Sequence, residues 1–375
     1  MNIQSLWAGF KGLVKIARKK DLKHAINRLW FYILWDDKKL REFFLIKLFP
    51  WAVTFPPFVE VETTTRCNLR CIMCEHTYWK EKCRDMTFEE FKGIVDQFKL
   101  RWIGVTGIGE SFLNKDFMKM LEYIKSKSIL VELFDTFYFL DEEMVTRLLQ
   151  MGIDRILISF DAATKETYEK IRVGSKYERV VKNIKKAFQL KKEMNDDISK
   201  INFHYIISKP NLHEVPKYID FVNEMRQGQD TFIMFTALLH AYDEIEQYVT
   251  EIPQEIIDET EKKAKKAGIP ITWNMNVPSK KDDISHCTSW IQPFIFSSGE
   301  VIPCCAGNEA NKRDFQKKYS FGNVFKSSFR DIWNGEKYKR FREKIHNGET
   351  PIHCRDCSIY DTNYETDEEF EKLYK

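Results

Sequence analysis

Six times along this chain a short β-branched or aromatic run is followed by an amphipathic helical stretch, and that alternation limits the fold more than any other feature. The runs fall at 58–63, 102–106, 129–134, 155–160, 200–207 and 231–236. The helical stretches fall at 87–98, 115–125, 141–151, 165–194, 214–225 and 254–267, with a last strand at 269–274. Strands separated by helices pair in parallel through right-handed crossovers. The expected fold is therefore α/β, a partial (β/α)6 TIM-like barrel spanning 56–275. Its working end is expected where the strands stop and the loops begin.

Two flanking regions break the pattern. Residues 1–55 read as a helical, basic and aromatic extension. Ile3, Leu6, Trp7, Phe10, Leu13, Val14 and Ala17 share one helical stripe, with Lys11, Lys15, Arg18 and Lys19 opposite. The run at 29–35, Leu-Trp-Phe-Tyr-Ile-Leu-Trp, is apolar on every side, and four of the nine tryptophans lie in the first 51 residues. The chain's net charge of +3 divides into +7 for the first fifty residues and −4 for the remaining 325. Such a segment suits a membrane interface. Packing against the barrel is the alternative, and it requires a cover for 29–35.

No stretch of about 20 apolar residues exists, so no spanning helix is expected. The start also lacks the features of a secretory signal. These readings place the chain in the cytoplasm, peripheral on the inner face of a membrane. Nucleic acid is not an expected partner, because the chain beyond residue 50 is net negative. The second flank, 276–375, holds a hairpin at 293–303 and then short helices and loops around cysteines. It has too few apolar stripes for its own core, so a metal is expected to organise it.

Nine cysteines in a chain without an export signal read as metal ligands before disulfides. Cys67, Cys71 and Cys74 form a CxxxCxxC loop directly after the first strand. Three thiolates in eight residues fit three corners of a cubane iron–sulfur cluster and leave one iron open. A zinc knuckle with His76 as fourth ligand is the other reading of that spacing. Cys287, Cys304, Cys305, Cys354 and Cys357 form a second set, able to ligate one cubane or one zinc. Cys83 reads as a small buried apolar residue.

The sequence Cys67-Asn68-Leu69-Arg70-Cys71-Ile72-Met73-Cys74 resembles the cluster loop of the radical S-adenosylmethionine (radical SAM) superfamily. Thr106-Gly107-Ile108-Gly109-Glu110 resembles that family's Gly-Gly-Glu motif, although alone it also fits a tight strand-to-helix turn. Met73 stands where the family places a bulky residue against the adenine. The resemblance further puts Gly107, Gly109 and Glu110 at the cofactor's amino group, and Ser159 and Asp161 near its ribose. It puts Arg172 at the methionine carboxylate and Asn211 close to the cofactor. Asp161 as a helix N-cap is the alternative. The second cysteine set resembles a SPASM extension, which implies one auxiliary [4Fe–4S] cluster on Cys287, Cys304, Cys354 and Cys357. An exchange of Cys304 for Cys305 stays open.

The resemblance implies an enzyme that cleaves S-adenosylmethionine reductively and abstracts hydrogen from an unactivated C–H. A reductant such as ferredoxin or flavodoxin and an anaerobic setting go with it. Where relatives carry a Thr-Asn-Gly turn, this chain has Phe134-Asp135-Thr136-Phe137-Tyr138-Phe139. An aromatic mouth there, together with the apolar N-terminus, leads us to expect a lipid alkyl chain or other membrane-held substrate, with carbon–carbon joining as one outcome. Ordinary packing of those rings is the alternative. A peptide- or protein-modifying maturase is the second expectation and a nucleic-acid-modifying enzyme a distant third.

Overall fold

The computed structural model describes residues 21–36, 38–48, 55–238, 242–274, 282–305, 312–357, 359–362 and 365–374. The stripe from Ile3 to Ala17 and its basic neighbours lie outside them.

After α1 (Leu22–Phe31), seven parallel strands lie side by side in chain order. They are β1 (Phe58–Val61), β2 (Trp102–Val105), β3 (Leu130–Asp135), β4 (Arg155–Ser159), β5 (Lys200–Ile207), β6 (Ile233–Ala237) and β7 (Ile271–Asn274). Each strand follows an expected run with shifts of at most two residues at either end, because β-branched and aromatic side chains suit a sheet covered on both faces. The helices α2 (Phe88–Gln97), α3 (Phe117–Ser126), α4 (Glu142–Met151), α5 (Tyr177–Glu193), α6 (Val215–Met225) and α7 (Gln254–Ala267) connect them. Their buried residues recur at helical spacing, as Phe91, Ile94 and Val95 do in α2 and Val145, Leu148 and Leu149 in α4. The start of α2 is fixed by a reciprocal cap between Thr87 and Glu90.

The sheet curves into a partial barrel. Phe134 on β3 and His204 on β5 have ring centroids 5.4 Å apart although β4 lies between their strands. Side chains that meet across an intervening strand are on the concave face. In the C-terminal region β8 (Phe294–Ile295) and β9 (Val301–Ile302) form the expected hairpin. It adds to the edge of β1, with Glu60 opposite Phe294 and Val61 opposite Ile295 in parallel register. One nine-stranded sheet thus runs through the barrel and into the cysteine-rich region.

The stretch 165–194 differs from expectation. It is two helices, Lys165–Ile171 and α5, with Arg172–Val173 extended between them and Gly174 at φ +95°. Backbone at that angle favours glycine and stops the helix. The two extended residues pair antiparallel with Arg70–Cys71, Cys71 facing Arg172. Helical periodicity carries through the break, so spacing alone does not reveal it.

The described part of the N-terminal segment, from Asp21 onward, packs against the barrel. Phe31 is 2% exposed and closes the amino-terminal end of the barrel. Its ring lies 5.6 Å from Phe58 and 5.7 Å from Trp102, with the Arg155 guanidinium 5.6 Å away. Leu34 and Leu45 join the same core. Polar contacts fix the helix in place: His24 pairs with Asp154 at 2.8 Å, and Asn27 donates to the Ser128 carbonyl at 3.0 Å. Asp154, also paired with Lys125 at 2.6 Å, is held down at about 2 by its cationic neighbours against the opposing effect of burial. Within the run at 29–35, Trp30, Phe31, Ile33 and Leu34 are therefore barrel packing. An apolar row of Leu22, Ile26, Leu29 and Tyr32 stays exposed on the outer side of α1.

Because Phe31 touches two rings in a closed layer, Phe31→Leu should destabilise the protein by roughly 1–2 kcal/mol, the combined cost of lost ring pairing and imperfect refilling. A fall in urea midpoint at constant m-value would record it. An unchanged midpoint would mean that α1 does not seal the barrel.

Candidate active site

The site forms where β1 to β5 end. Beyond β1 the chain enters the loop Thr63–Cys74, which bonds repeatedly to its neighbours. His76 directs Nε2 to the Thr65 carbonyl at 2.9 Å, and Thr77 Oγ1 donates to the Cys71 carbonyl at 2.6 Å. Ile72 N donates to the Ile171 carbonyl at 3.0 Å, extending the ribbon with Arg172. His76 Nδ1 has no hydrogen-bond partner, so the bond of Nε2 to the backbone does not by itself decide against the zinc-knuckle reading. Among the described residues, no three His, Cys, Asp or Glu side chains are grouped to chelate one metal ion. Cysteines that share a cubane each hold a different iron and do not need such a grouping.

Burial pushes the thiols up: Cys67 above its ordinary value, Cys71 to about 12, and Cys74 higher still. The protein alone thus keeps them protonated, and a bound iron centre is what favours their thiolates. Met73 is buried beside them in a cluster with Leu69, Ile171, Leu238 and Ile245.

The loop after β2 lies directly on this cysteine loop. Glu110 N donates to the Arg66 carbonyl at 2.8 Å. A Cβ on Gly109 would stand 2.2 Å from the Thr64 carbonyl oxygen, so only glycine fits there. Gly107, at φ +143°, would drive a Cβ to 2.5 Å from Glu62 Cγ. Both glycines are thus demanded by close approach.

Arg172 forms a buried ion pair with Asp161, and its Nε has no hydrogen-bond partner. Asp161 also accepts from Ile206 N at 2.8 Å. Its carboxyl sits above its ordinary value because burial outweighs Arg172. Asn211 is fully engaged in the turn after β5. Its Nδ2 donates to the Asp161 and Ile206 carbonyls, each at 2.9 Å, and its Oδ1 accepts from Ser208 N at 2.7 Å. Its side chain braces that turn.

Facing the concave side, Ser159 is level with His204 in the sheet, and His204 Nε2 lies 2.9 Å from Thr236 Oγ1. Burial and Arg172 hold His204 down at about 3, so it is a neutral hydrogen-bonding group at pH 7. The aromatic mouth is only partly present. Phe134 faces the interior, whereas Phe137 is fully buried in the core. Tyr138 packs against Phe139 at 5.1 Å and under Arg179 at 4.5 Å.

The second cysteine set lies across the seam. The Cys354 thiol, raised first by burial, is next affected by Cys304, Cys287 and Cys357 around it. Cys287 is pushed to about 12, again by burial first. Cys305 instead packs with Phe294, Phe296 and Ile302. Cys83 is exposed rather than buried, a correction to the reading above: it sits in an irregular loop between two helices with no apolar face over it.

Two functional-site residues carry no motif. Glu62, just past β1, makes a fully buried ion pair with Arg313, which lies at the start of α8 (Arg313–Lys318) in the C-terminal region. Glu62 also accepts from Ser297 N and Oγ at 3.2 and 2.9 Å and from Ile108 N at 3.3 Å. Arg313 stacks 4.3 Å from the Phe296 ring and 5.5 Å from Trp79. One buried pair therefore ties the Gly107–Glu110 loop to the second cysteine region. Beside it Glu75 accepts from Tyr242 at 2.9 Å, and burial raises Glu75 to about 7 against the pull of Arg313.

The residues present fit an amino-acid-bearing cofactor next to a cluster. Glu110 and Asp135 are buried carboxyls hydrogen-bonded to each other, and Arg172 Nε is a buried donor without a partner. That is the complement of a zwitterion.

Residues 61–222 match the model of the radical SAM superfamily, and residues 287–358 match an iron–sulfur cluster-binding domain called SPASM. Over 321 residues the chain is 27% identical to the tungsten-containing aldehyde ferredoxin oxidoreductase cofactor-modifying protein of Pyrococcus furiosus, covering 81% of this chain and 88% of that one. It is 23% identical over 330 residues to Fe-coproporphyrin III synthase of Methanosarcina barkeri, covering 80% and 77%. The fold is similar to that of Streptococcus suis SuiB bound to S-adenosylmethionine, with a TM-score of 0.62 and 14% identity over 82% of this chain and 72% of that one.

Proposed function

This chain belongs to the radical SAM superfamily and carries a SPASM iron–sulfur domain, and from that premise we propose that it is a maturase that modifies a polar cofactor precursor at an unactivated C–H. When bound, the [4Fe–4S] cluster and S-adenosylmethionine supply one-electron cleavage of a carbon–sulfur bond and hydrogen-atom abstraction. Cys67, Cys71 and Cys74 hold that cluster, and Cys287, Cys304, Cys354 and Cys357 hold the auxiliary one. Gly107 and Gly109 bring backbone close to the cofactor. Glu110 meets its ammonium and Arg172 its carboxylate, while Met73 lies against the adenine. Asn211 and Asp161 set the turn beside it, and Ser159 faces the ribose. The barrel interior keeps water from the reacting carbon.

The observation that carries the substrate class is the hydrogen-bonding group of Ser159, His204 and Thr236 on the concave face, set among Phe134, Leu157, Ile206 and Met234. A neutral His204 donates or accepts without adding charge, which suits a substrate rich in hydrogen-bonding groups. The name of the Pyrococcus furiosus relative, a cofactor-modifying protein, supports the same class. The expected lipid substrate loses its main support. Phe31 and α1 cover the amino-terminal end of the barrel, whereas the cysteine loop begins beyond the other end of β1. From Phe58 to Glu62 alone is four residues, about 13 Å. Any membrane contact through Leu22, Ile26, Leu29 and Tyr32 is made at the remote end and does not deliver a lipid to the cysteines. No helix among the described residues is long and apolar enough to cross a membrane. A ferredoxin or flavodoxin is the proposed electron donor.

The test separates substrate classes. Cluster-loaded, reduced protein with S-adenosylmethionine is offered three fractions of cell extract: small polar molecules, peptides and lipids. Release of 5′-deoxyadenosine should rise at least tenfold with the polar small-molecule fraction. Stimulation by lipids or by peptides alone would overturn the cofactor-precursor reading.

A further inference from the structure

α1 rests on the closed end of the barrel. Asn27 donates to the Ser128 carbonyl just before β3, and His24 pairs with Asp154 just before β4. Asn27 also accepts from Arg101 Nη1 at 3.1 Å, directly before β2. Phe31 covers Phe58 and Trp102, where β1 and β2 begin. Each of these partners stands at the amino-terminal end of a strand, so the opposite face of α1 looks away from the cysteine loop.

That outer face is apolar. Leu22, Ile26 and Leu29 recur at spacings of four and three and are 69%, 42% and 42% exposed, and Tyr32 follows at 40%. Single exposed apolar side chains are ordinary, but a contiguous row marks a surface that something covers. Lys23, exposed, and Arg28, half-buried, lie on either side of the row, and the chain has no acid from Leu22 to Leu34. Asp21 is spent as the helix cap, accepting from His24 N and Ser128 Oγ, each at 2.6 Å. The twenty residues leading to it hold Lys11, Lys15, Arg18, Lys19 and Lys20, again without an acid. Lys39, Phe43 and Lys47 beyond α1 are exposed as well.

An apolar row edged by cations matches an anionic bilayer, whose acyl boundary takes the row and whose phosphates meet the amines. Nucleic acid would leave Leu22, Ile26 and Leu29 in water. A second copy would set like charges against each other.

We propose that α1 and the basic segment before it form a docking surface for anionic lipid, on which the barrel stands with its amino-terminal end toward the membrane and its cysteine loop away from it. The open end then stays free for a polar substrate from solution.

Flotation of the full-length, cluster-loaded protein tests it, with vesicles of phosphatidylglycerol and phosphatidylcholine or of phosphatidylcholine alone. Binding to the anionic vesicles should be at least about tenfold stronger and should fall several-fold at about 0.5 M salt. The triple variant Leu22→Glu, Ile26→Glu and Leu29→Glu should lose that binding about tenfold or more while releasing 5′-deoxyadenosine as the wild type does. Lys23→Gln with Arg28→Gln, which leaves the apolar row intact, should weaken anionic binding about tenfold and leave neutral vesicles unchanged. No flotation, equal binding to both vesicles, or a triple variant that binds as the wild type would overturn the proposal. So would a triple variant that turns a dimer into a monomer in sedimentation without any vesicle binding, since a second copy would then be the occupant.

Discussion

Replacing Cys67, Cys71 and Cys74 together with Ala should leave about four irons per chain where the intact protein holds about eight. The expectation follows from the separation of the two cysteine sets. The triplet lies in the loop after β1, which bonds to Ile171 and to the Arg172 ribbon. The second set surrounds Cys354 in the C-terminal region. Loss of the first cluster should leave the second spectroscopically intact, because no thiol of the second set is removed. All cleavage of S-adenosylmethionine should disappear, a loss of several orders of magnitude, since the open iron goes with the triplet. Iron analysis with electron paramagnetic resonance reads both effects. Unchanged iron, or zinc bound in equal amount to protein, would contradict the two-cluster account.

The second large effect is on stability. Arg313→Met removes one partner of a buried ion pair and leaves the Glu62 carboxylate uncompensated, at a cost of about 3–5 kcal/mol. Three remaining donors, Ser297 N, Ser297 Oγ and Ile108 N, soften the loss toward the lower figure. Glu62→Gln leaves the Arg313 guanidinium stacked between Phe296 and Trp79 with no anion, and should cost a similar amount. The double variant Glu62→Gln with Arg313→Met should be less damaging than the sum of the singles, because neither buried charge remains. Urea midpoints of the four proteins measure this cycle. Single-variant losses below about 1 kcal/mol would mean the pair is solvated. Since Glu62 also holds Ile108 N, the same variants should weaken cofactor binding.

Much of the barrel was legible because its strands are contiguous runs that local propensity marks. The cysteine roles were legible for a similar reason: spacing within one loop brings thiols together whatever the rest of the chain does. What escaped was long-range or cross-periodic. Glu62 and Arg313 are 251 positions apart, and nothing local in either predicts the other; the faint signal was a carboxylate following an apolar strand. Arg172 lay within an apparently continuous helix, and only the Gly174 three residues before Tyr177 marked the break. Asp135 was hidden among aromatics that drew attention to substrate polarity instead of charge.

The N-terminal segment shows the limit of composition. Its apolar run reads equally as membrane surface and as barrel cover, because both remove apolar area from water. The contacts of Phe31 with Phe58, Trp102 and Arg155 make it barrel cover, while Leu22, Ile26, Leu29 and Tyr32 stay exposed.

The account stands most directly on what the reduced, cluster-loaded protein does to S-adenosylmethionine. Chromatography should show 5′-deoxyadenosine and methionine in equal amounts from the wild type, and neither from the Cys67, Cys71 and Cys74 variant. S-adenosylhomocysteine as the product, or intact S-adenosylmethionine after full reduction, would contradict it.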